Sequence, residues 1–159
     1  MKPNEVSFSS ESLIELIKTT LAKNSSFRFR VTGSSMSPFI KDSDIVTISS
    51  GRIAMGKAVA FVNPATGKLA IHRMVGGYNG CYLIKGDNIP RPDGLIPKGN
   101  VLGCVTKIER EERSVRLGLG AERLVIAFLS RSNSLLLLHS YWNLLPFSVR
   151  KVLKEWLSV

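Results

Sequence analysis

Val31-Thr-Gly-Ser-Ser-Met-Ser-Pro-Phe-Ile40, followed by Lys41-Asp-Ser-Asp-Ile-Val-Thr-Ile48, decides how the rest of the chain is read. Small hydroxyl and glycine residues sit between two apolar, β-leaning runs, Phe27 to Val31 and Ile45 to Ile48. Glycine and serine supply turn chemistry, and Pro38 stiffens the chain that leaves. The stretch therefore presents a serine at the end of a strand, with Met36 as an apolar anchor beside it. Taken alone, it is a strand, a turn and a strand, with serines there because turns favour them. Its meaning depends on the segments around it.

Upstream, Ser9 to Lys23 carries apolar residues at 13, 14, 16, 17 and 21, close to a helical stripe, with Ser9 or Ser10 as the cap and Asn24-Ser-Ser26 as the stop. Phe27-Arg-Phe-Arg-Val31 alternates apolar and basic residues, as a half-buried strand does. Downstream, Ala58 to Val62, Lys68 to Val75, Cys81 to Lys85, Asn100 to Ile108 and Ser114 to Gly118 read as strands. Turns are expected at Ser49 to Arg52, Asn63 to Gly67 and Gly76 to Gly80, and a Pro/Gly-dense loop at Gly86 to Gly94. Short, closely spaced strands predict a mainly β domain over residues 27–118, preceded by a helix within 1–26. From about 119 the composition turns to leucine-rich runs. Phe147 to Val159 places Val149, Val152, Leu153, Trp156 and Leu157 opposite Arg150, Lys151 and Lys154, so 119–159 reads as a basic amphipathic helical tail. Such a tail packs on the β core or contacts a membrane surface or partner.

The chain has 159 residues, enough for one domain with a real core. Its formal net charge of +10 points to nucleic acid, an anionic membrane surface or an acidic peptide without choosing among them. Cys81 and Cys104 lie in no metal-ligand spacing, which argues against zinc. The N-terminus has no signal-peptide pattern, and no run of about 18 apolar residues marks a transmembrane helix. A cytoplasmic protein with reduced cysteines is expected.

Three polar spots interrupt the β series. Ser35 sits in a turn, His72 in the apolar strand Leu-Ala-Ile-His-Arg-Met-Val, and Asp87 and Asp93 in the loop Gly86-Asp-Asn-Ile-Pro-Arg-Pro-Asp-Gly94. A serine hydroxyl is a poor nucleophile unless a base takes its proton, and an imidazole can do so. A carboxylate on the other ring nitrogen fixes the tautomer and stabilises the imidazolium. Each residue alone has an ordinary structural reading, and His139, in the leucine-rich tail, is taken as structural.

Together the segments resemble a known family. Gly33-Ser-Ser-Met-Ser-Pro-Phe-Ile40 is similar to the Ser-Met-x-Pro nucleophile box of the type I signal peptidases and the related LexA-like peptidases. His72-Arg-Met-Val-Gly76 resembles the second box, with histidine where the bacterial enzymes have lysine, as in the endoplasmic-reticulum and archaeal type. Ile84-Lys-Gly-Asp-Asn88, with Asp93 beyond it, resembles the third. The likeness spans Phe27 to Val105 in the family's order. It implies Ser35 as nucleophile, His72 as general base and Asp93 as the carboxylate that orients it. Asp87 would support the loop or share that role, and Gly33, Ser34 and Met36 would form the oxyanion and substrate-binding surroundings. The Ser35 N–H would be the main oxyanion donor, helped by the Ser34 hydroxyl.

The resemblance also implies a mostly β fold, no metal or organic cofactor, and cleavage of a peptide or preprotein after a small residue. Members that process exported preproteins carry an N-terminal membrane anchor, and this chain is expected to be without one. It also has Gly33 where some members carry a serine, Ser43-Asp44 in place of Gly-Asp, and Ile-Pro-Arg-Pro between the two aspartates. The principal expectation is a serine endopeptidase of signal-peptidase type. The alternatives are a non-catalytic peptide-binding or membrane-docking relative and a LexA-like self-cleaving regulator. The last is disfavoured because the residues before the serine turn hold one helix, not a helix-turn-helix, and no Ala-Gly or Cys-Gly precedes Ser35. No nucleic-acid partner is expected.

Overall fold

The computed structural model describes residues 10–137; the helix expected over Phe147 to Val159 lies outside the described residues. Helix α1, Ser10–Ala22, buries Ile14, Ile17 and Leu21 and exposes Glu11, Glu15 and Lys18, as its periodicity dictates. It stops where Asn24 takes a positive φ of 55°, and the Ser50 hydroxyl donates to the Leu21 carbonyl at 2.9 Å, satisfying an acceptor of its last turn.

The strands are β1 (Phe27–Arg30), β2 (Ile45–Ser49), β3 (Ala58–Val62), β4 (Leu69–Tyr78), β5 (Cys81–Lys85), β6 (Gly94–Pro97), β7 (Val101–Arg110) and β8 (Arg113–Val115). They form one eight-stranded sheet in the order β1-β2-β7-β3-β4-β5-β6, with β8 on β7. Every pairing is antiparallel. Helix α2, Arg123–Arg131, packs against β4. The architecture is the mainly β one expected, and none of the helices among the described residues is long and apolar enough to cross a membrane.

The sheet is buried on both faces near its middle. Along β3, Ala58 and Ala60 join one apolar cluster with Ile17, Leu21, Val46 and Ile48. Val59 and Phe61, on the opposite face, join a second with Met74, Ile84 and Ile96. This explains why β3 reads as a continuous apolar run instead of an alternating one.

Two local features differ from expectation. Gly76-Gly77 does not turn the chain; β4 continues to Tyr78 through a register shift between Met74 and Gly76. The turn is made by Asn79-Gly80, both at positive φ (45° and 77°), the residue pair that a tight hairpin demands. The chain after the Pro-rich loop also forms β6, whose Pro97 occupies the final position of a strand paired only with β5.

Two ion pairs tie loops to this frame. Asp44, 2% exposed, receives Arg110 Nε at 2.8 Å and Nη2 at 2.7 Å, and also the Lys41 N–H at 2.8 Å. The second joins Arg73 and Asp87, whose side chains are 1% and 0% exposed. Arg73 Nε lies 2.9 and 3.0 Å from the two carboxylate oxygens of Asp87, and Nη2 lies 2.7 Å from Oδ2. Its Nη1 donates to the carbonyls of Gly56 (2.7 Å) and Gly118 (3.2 Å), and its guanidinium stands 5.3 Å from the centre of the Phe39 ring.

Removing one member of a buried pair leaves the other charge desolvated and alone. Asp87→Ala is expected to lower unfolding free energy by about 3–5 kcal/mol, seen as a reduced urea midpoint; a midpoint unchanged from the parent would contradict this. The acid side of the stability curve has separate origins. The carboxyl of Glu122 is held below its ordinary 4.5 by its own backbone N–H and by those of Gly118 and Gly120. The carboxyl of Glu109 is held low by hydrogen bonds from Lys107 and Arg28. A carboxyl with a depressed folded-state value contributes stability above its unfolded value and loses it as pH falls through the folded one. The urea midpoint should therefore drop between about pH 5 and pH 3, and the Glu109→Gln/Glu122→Gln protein should lose less over that range than the parent.

Candidate active site

Ser35 belongs to a loop, residues 31–44, closed at its base by two backbone bonds. The Val31 N–H donates to the Asp44 carbonyl and the Ser43 N–H to the Val31 carbonyl, both at 2.9 Å. Inside it, Met36, Phe39 and Ile40 are buried anchors, and turn bonds run from Ser37 N–H to Ser34 O and from Phe39 and Ile40 N–H to Met36 O. Gly33 takes φ +96°, a backbone conformation that disfavours a side chain, and its N–H is held by Asp42 Oδ1 at 2.7 Å. Ser34, exposed, and Gly33 flank the serine. Among the described residues the Ser35 N–H has no intramolecular acceptor.

His72 lies in β4 opposite Val59, with its ring 5.8 Å from that of Phe61. It is 7% exposed, so its polar atoms need partners, and both ring nitrogens have them. Nε2 is 2.9 Å from Ser35 Oγ, and Nδ1 is 2.6 Å from Asp93 Oδ2. An ionised carboxylate only accepts, so Nδ1 carries the proton that Asp93 receives; the neutral ring then offers Nε2 as an acceptor for the Ser35 hydroxyl.

Asp93 reaches the histidine because its own N–H is fixed to the Ile84 carbonyl at 2.9 Å, extending the β5–β6 ladder around the loop. The loop's prolines therefore do not carry Asp93 away. Asp87 is placed differently: its carboxylate is bonded to Arg73, not to His72.

The loop that holds the aspartates also grips the serine loop. The Asn88 N–H donates to the Ser35 carbonyl at 2.8 Å, and Asn88 Nδ2 to the Ser34 carbonyl at 3.2 Å. Gly86 lets the two backbones approach, since a Cβ there would stand 2.9 Å from the Ser35 carbonyl oxygen. Lys85, 2% exposed, donates to the Gly86 carbonyl at 3.2 Å, and burial pushes its ammonium below the usual lysine range against the opposing pull of Asp87 and Asp93.

A groove of about 340 Å³ opens beside Ser35 and His72. Arg30 to Gly33 line one side and Lys68 to His72 the other, with Leu13, Met36 and Ile40 also at its surface. Residues 69–72 of β4 pair with β3, whereas pairing with β5 begins only at Arg73. The groove therefore runs along a stretch of strand with one unpaired edge, the geometry that accepts an extended peptide as an added strand.

Sequence reasoning did not anticipate the parts of Arg73, Asp42 and Asn88. For Arg73 a signal existed: in a strand buried on both faces, the arginine next to His72 points to the opposite face and needs a buried carboxylate. Asp42 and Asn88 carried none beyond ordinary turn propensity.

A search of curated proteins found no match to this chain. A comparison with family models found one, described as Peptidase S24-like, matching residues 3–112, about two thirds of the chain and all of the residues from Ser35 through Asp93. The chain belongs to the Peptidase S24-like family.

Proposed function

We propose that the protein is a serine endopeptidase in which Ser35 is the nucleophile, His72 the general base and Asp93 the group that orients and charge-stabilises the histidine. The observation that carries this reading is the continuous line from Ser35 Oγ to His72 Nε2 (2.9 Å) and from His72 Nδ1 to Asp93 Oδ2 (2.6 Å). In the acylation step Ser35 Oγ attacks the scissile carbonyl while Nε2 takes its proton. The resulting imidazolium, stabilised by Asp93, returns that proton to the departing amine. The developing oxyanion is assigned to the Ser35 N–H, with the Ser34 hydroxyl nearby. Water then repeats the sequence on the acyl-enzyme.

The apolar lining from Val31, Leu69 and Ile71 supports binding of an extended peptide with aliphatic side chains. The histidine base and the three ordered boxes favour a signal-peptidase type of specificity, with cleavage of a precursor or leader peptide after a small residue. The family description equally accommodates a self-cleaving regulator.

Ser35→Ala and His72→Ala should each lower kcat/KM by on the order of a thousandfold or more, and Asp93→Asn by about 10²–10⁴-fold, with unchanged circular dichroism. A fluorophosphonate probe should label the parent and not Ser35→Ala. Cleavage by Ser35→Ala at the parental rate would rule the mechanism out. The rate should fall on the acid side, since protonated His72 cannot accept the serine proton. If the substrate is the chain itself, the fraction cleaved per unit time will not change on dilution; for a separate peptide, turnover will scale with enzyme concentration.

Gly86→Ala should reduce kcat by about tenfold or more by pushing on the Ser35 carbonyl. Parental kcat in a folded Gly86→Ala protein would show that the approach of the two loops does not matter.

A further inference from the structure

One residue holds the peptide groups on both sides of Ser35. The Asn88 N–H donates to the Ser35 carbonyl at 2.8 Å, and Asn88 Nδ2 donates to the Ser34 carbonyl at 3.2 Å. The Ser34 carbonyl and the Ser35 N–H belong to one peptide unit, which is trans. Such a unit is planar and its two polar groups point in opposite directions, so whatever holds the carbonyl also aims the N–H. That N–H has no intramolecular acceptor among the described residues, whereas the opposite edge of its peptide is bonded twice. The Ser37 N–H, at 3.1 Å from the Ser34 carbonyl, comes from the serine loop itself and moves with it. Asn88 comes from outside. It follows Asp87, which is tied to the buried Arg73, so it fixes the Ser35 peptide to the sheet.

We infer that Asn88 is a positioning residue that aims the Ser35 N–H at the oxyanion of the acyl-transfer step. The inference rests on the peptidase reading and adds to it the group that orients its oxyanion donor. A donor stabilises developing charge only if its direction is set before the reaction, because a hydrogen bond weakens steeply as its angle falls. An amide suits this place. It donates to the Ser34 carbonyl without bringing charge to a site where negative charge develops, whereas an ionised carboxylate has no proton to donate and would oppose the oxyanion. The Ser37 N–H still holds the carbonyl when Asn88 is truncated. The peptide is then loosened and not released, so the loss should be about tenfold, below the 10²–10³ of a donor removed outright.

The test follows the labelling of Ser35 by an alkyl fluorophosphonate, which requires no knowledge of the peptide substrate. Ser35 Oγ bonds to phosphorus, fluoride leaves, His72 takes the hydroxyl proton, and the phosphoryl oxygen occupies the oxyanion position. Asn88→Ala should lower the maximal labelling rate about tenfold while the half-saturating probe concentration stays within about twofold of the parent's. Asn88→Asp, which keeps the shape without the donor and carries the test if Asn88→Ala does not fold, should lose at least as much. In both variants the acid limb of the rate against pH should stay where it is in the parent, because the contact of His72 with Asp93 does not involve Asn88. A parental maximal rate in a folded variant overturns the inference. So does a displaced acid limb, which would show that the substitution acts through the imidazole. A labelled parent with equally fast variants removes the inference alone; a parent that is not labelled removes the peptidase reading beneath it.

Discussion

The buried pair between Arg73 and Asp87 is the constraint on which the site depends. Two charges with side chains at 1% and 0% exposure persist in an apolar interior only when their hydrogen-bonding capacity is met. Arg73 meets it by reaching five places at once: its own strand, Asp87, the carbonyls of Gly56 and Gly118, and the face of Phe39. One side chain thus fixes the strand that carries His72, the start of the loop that carries Asp93, and an anchor of the loop that carries Ser35.

Ser35, His72 and Asp93 come from three segments far apart in sequence, and the closeness of their contacts reflects how those segments are locked to one another. Strand β4 supplies His72 on one face and Arg73 on the other, so a single stretch of backbone both presents the imidazole and secures its surroundings. The loop after β5 divides its two aspartates between those faces. Asp87 neutralises the buried arginine, and Asp93, held at the mouth of β6, reaches the imidazole. Asn88 and Gly86 then bring that loop against the carbonyl of Ser35, which couples the position of the serine to that of the Asp93 carboxylate.

Much of the fold was legible because its signals are local. The stripe of Ile14, Ile17 and Leu21 marks α1, the run Ala58 to Val62 marks β3 to the residue, and Asn63 to Gly67 marks a turn. Where local signals conflicted, tertiary contacts decided. Gly76-Gly77 looks like a turn, yet the pairing of β4 with β5 carries the strand through it and leaves the reversal to Asn79-Gly80. Strand β6 was hidden by the proline-rich loop before it and by its own Pro97, which is tolerated because the strand pairs with β5 and no other.

The sequence by itself determined the order of the chemistry: a serine on a tight turn, a histidine in an apolar strand, and two aspartates in one Gly/Pro loop, since residue type and short-range spacing carry that information. It also showed a basic chain with no obvious place for its charge. Only the tertiary structure decided which aspartate faces the imidazole, because Asp87 and Asp93 are equivalent as residues and differ solely in what lies across from them, a buried guanidinium in one case and an imidazole in the other.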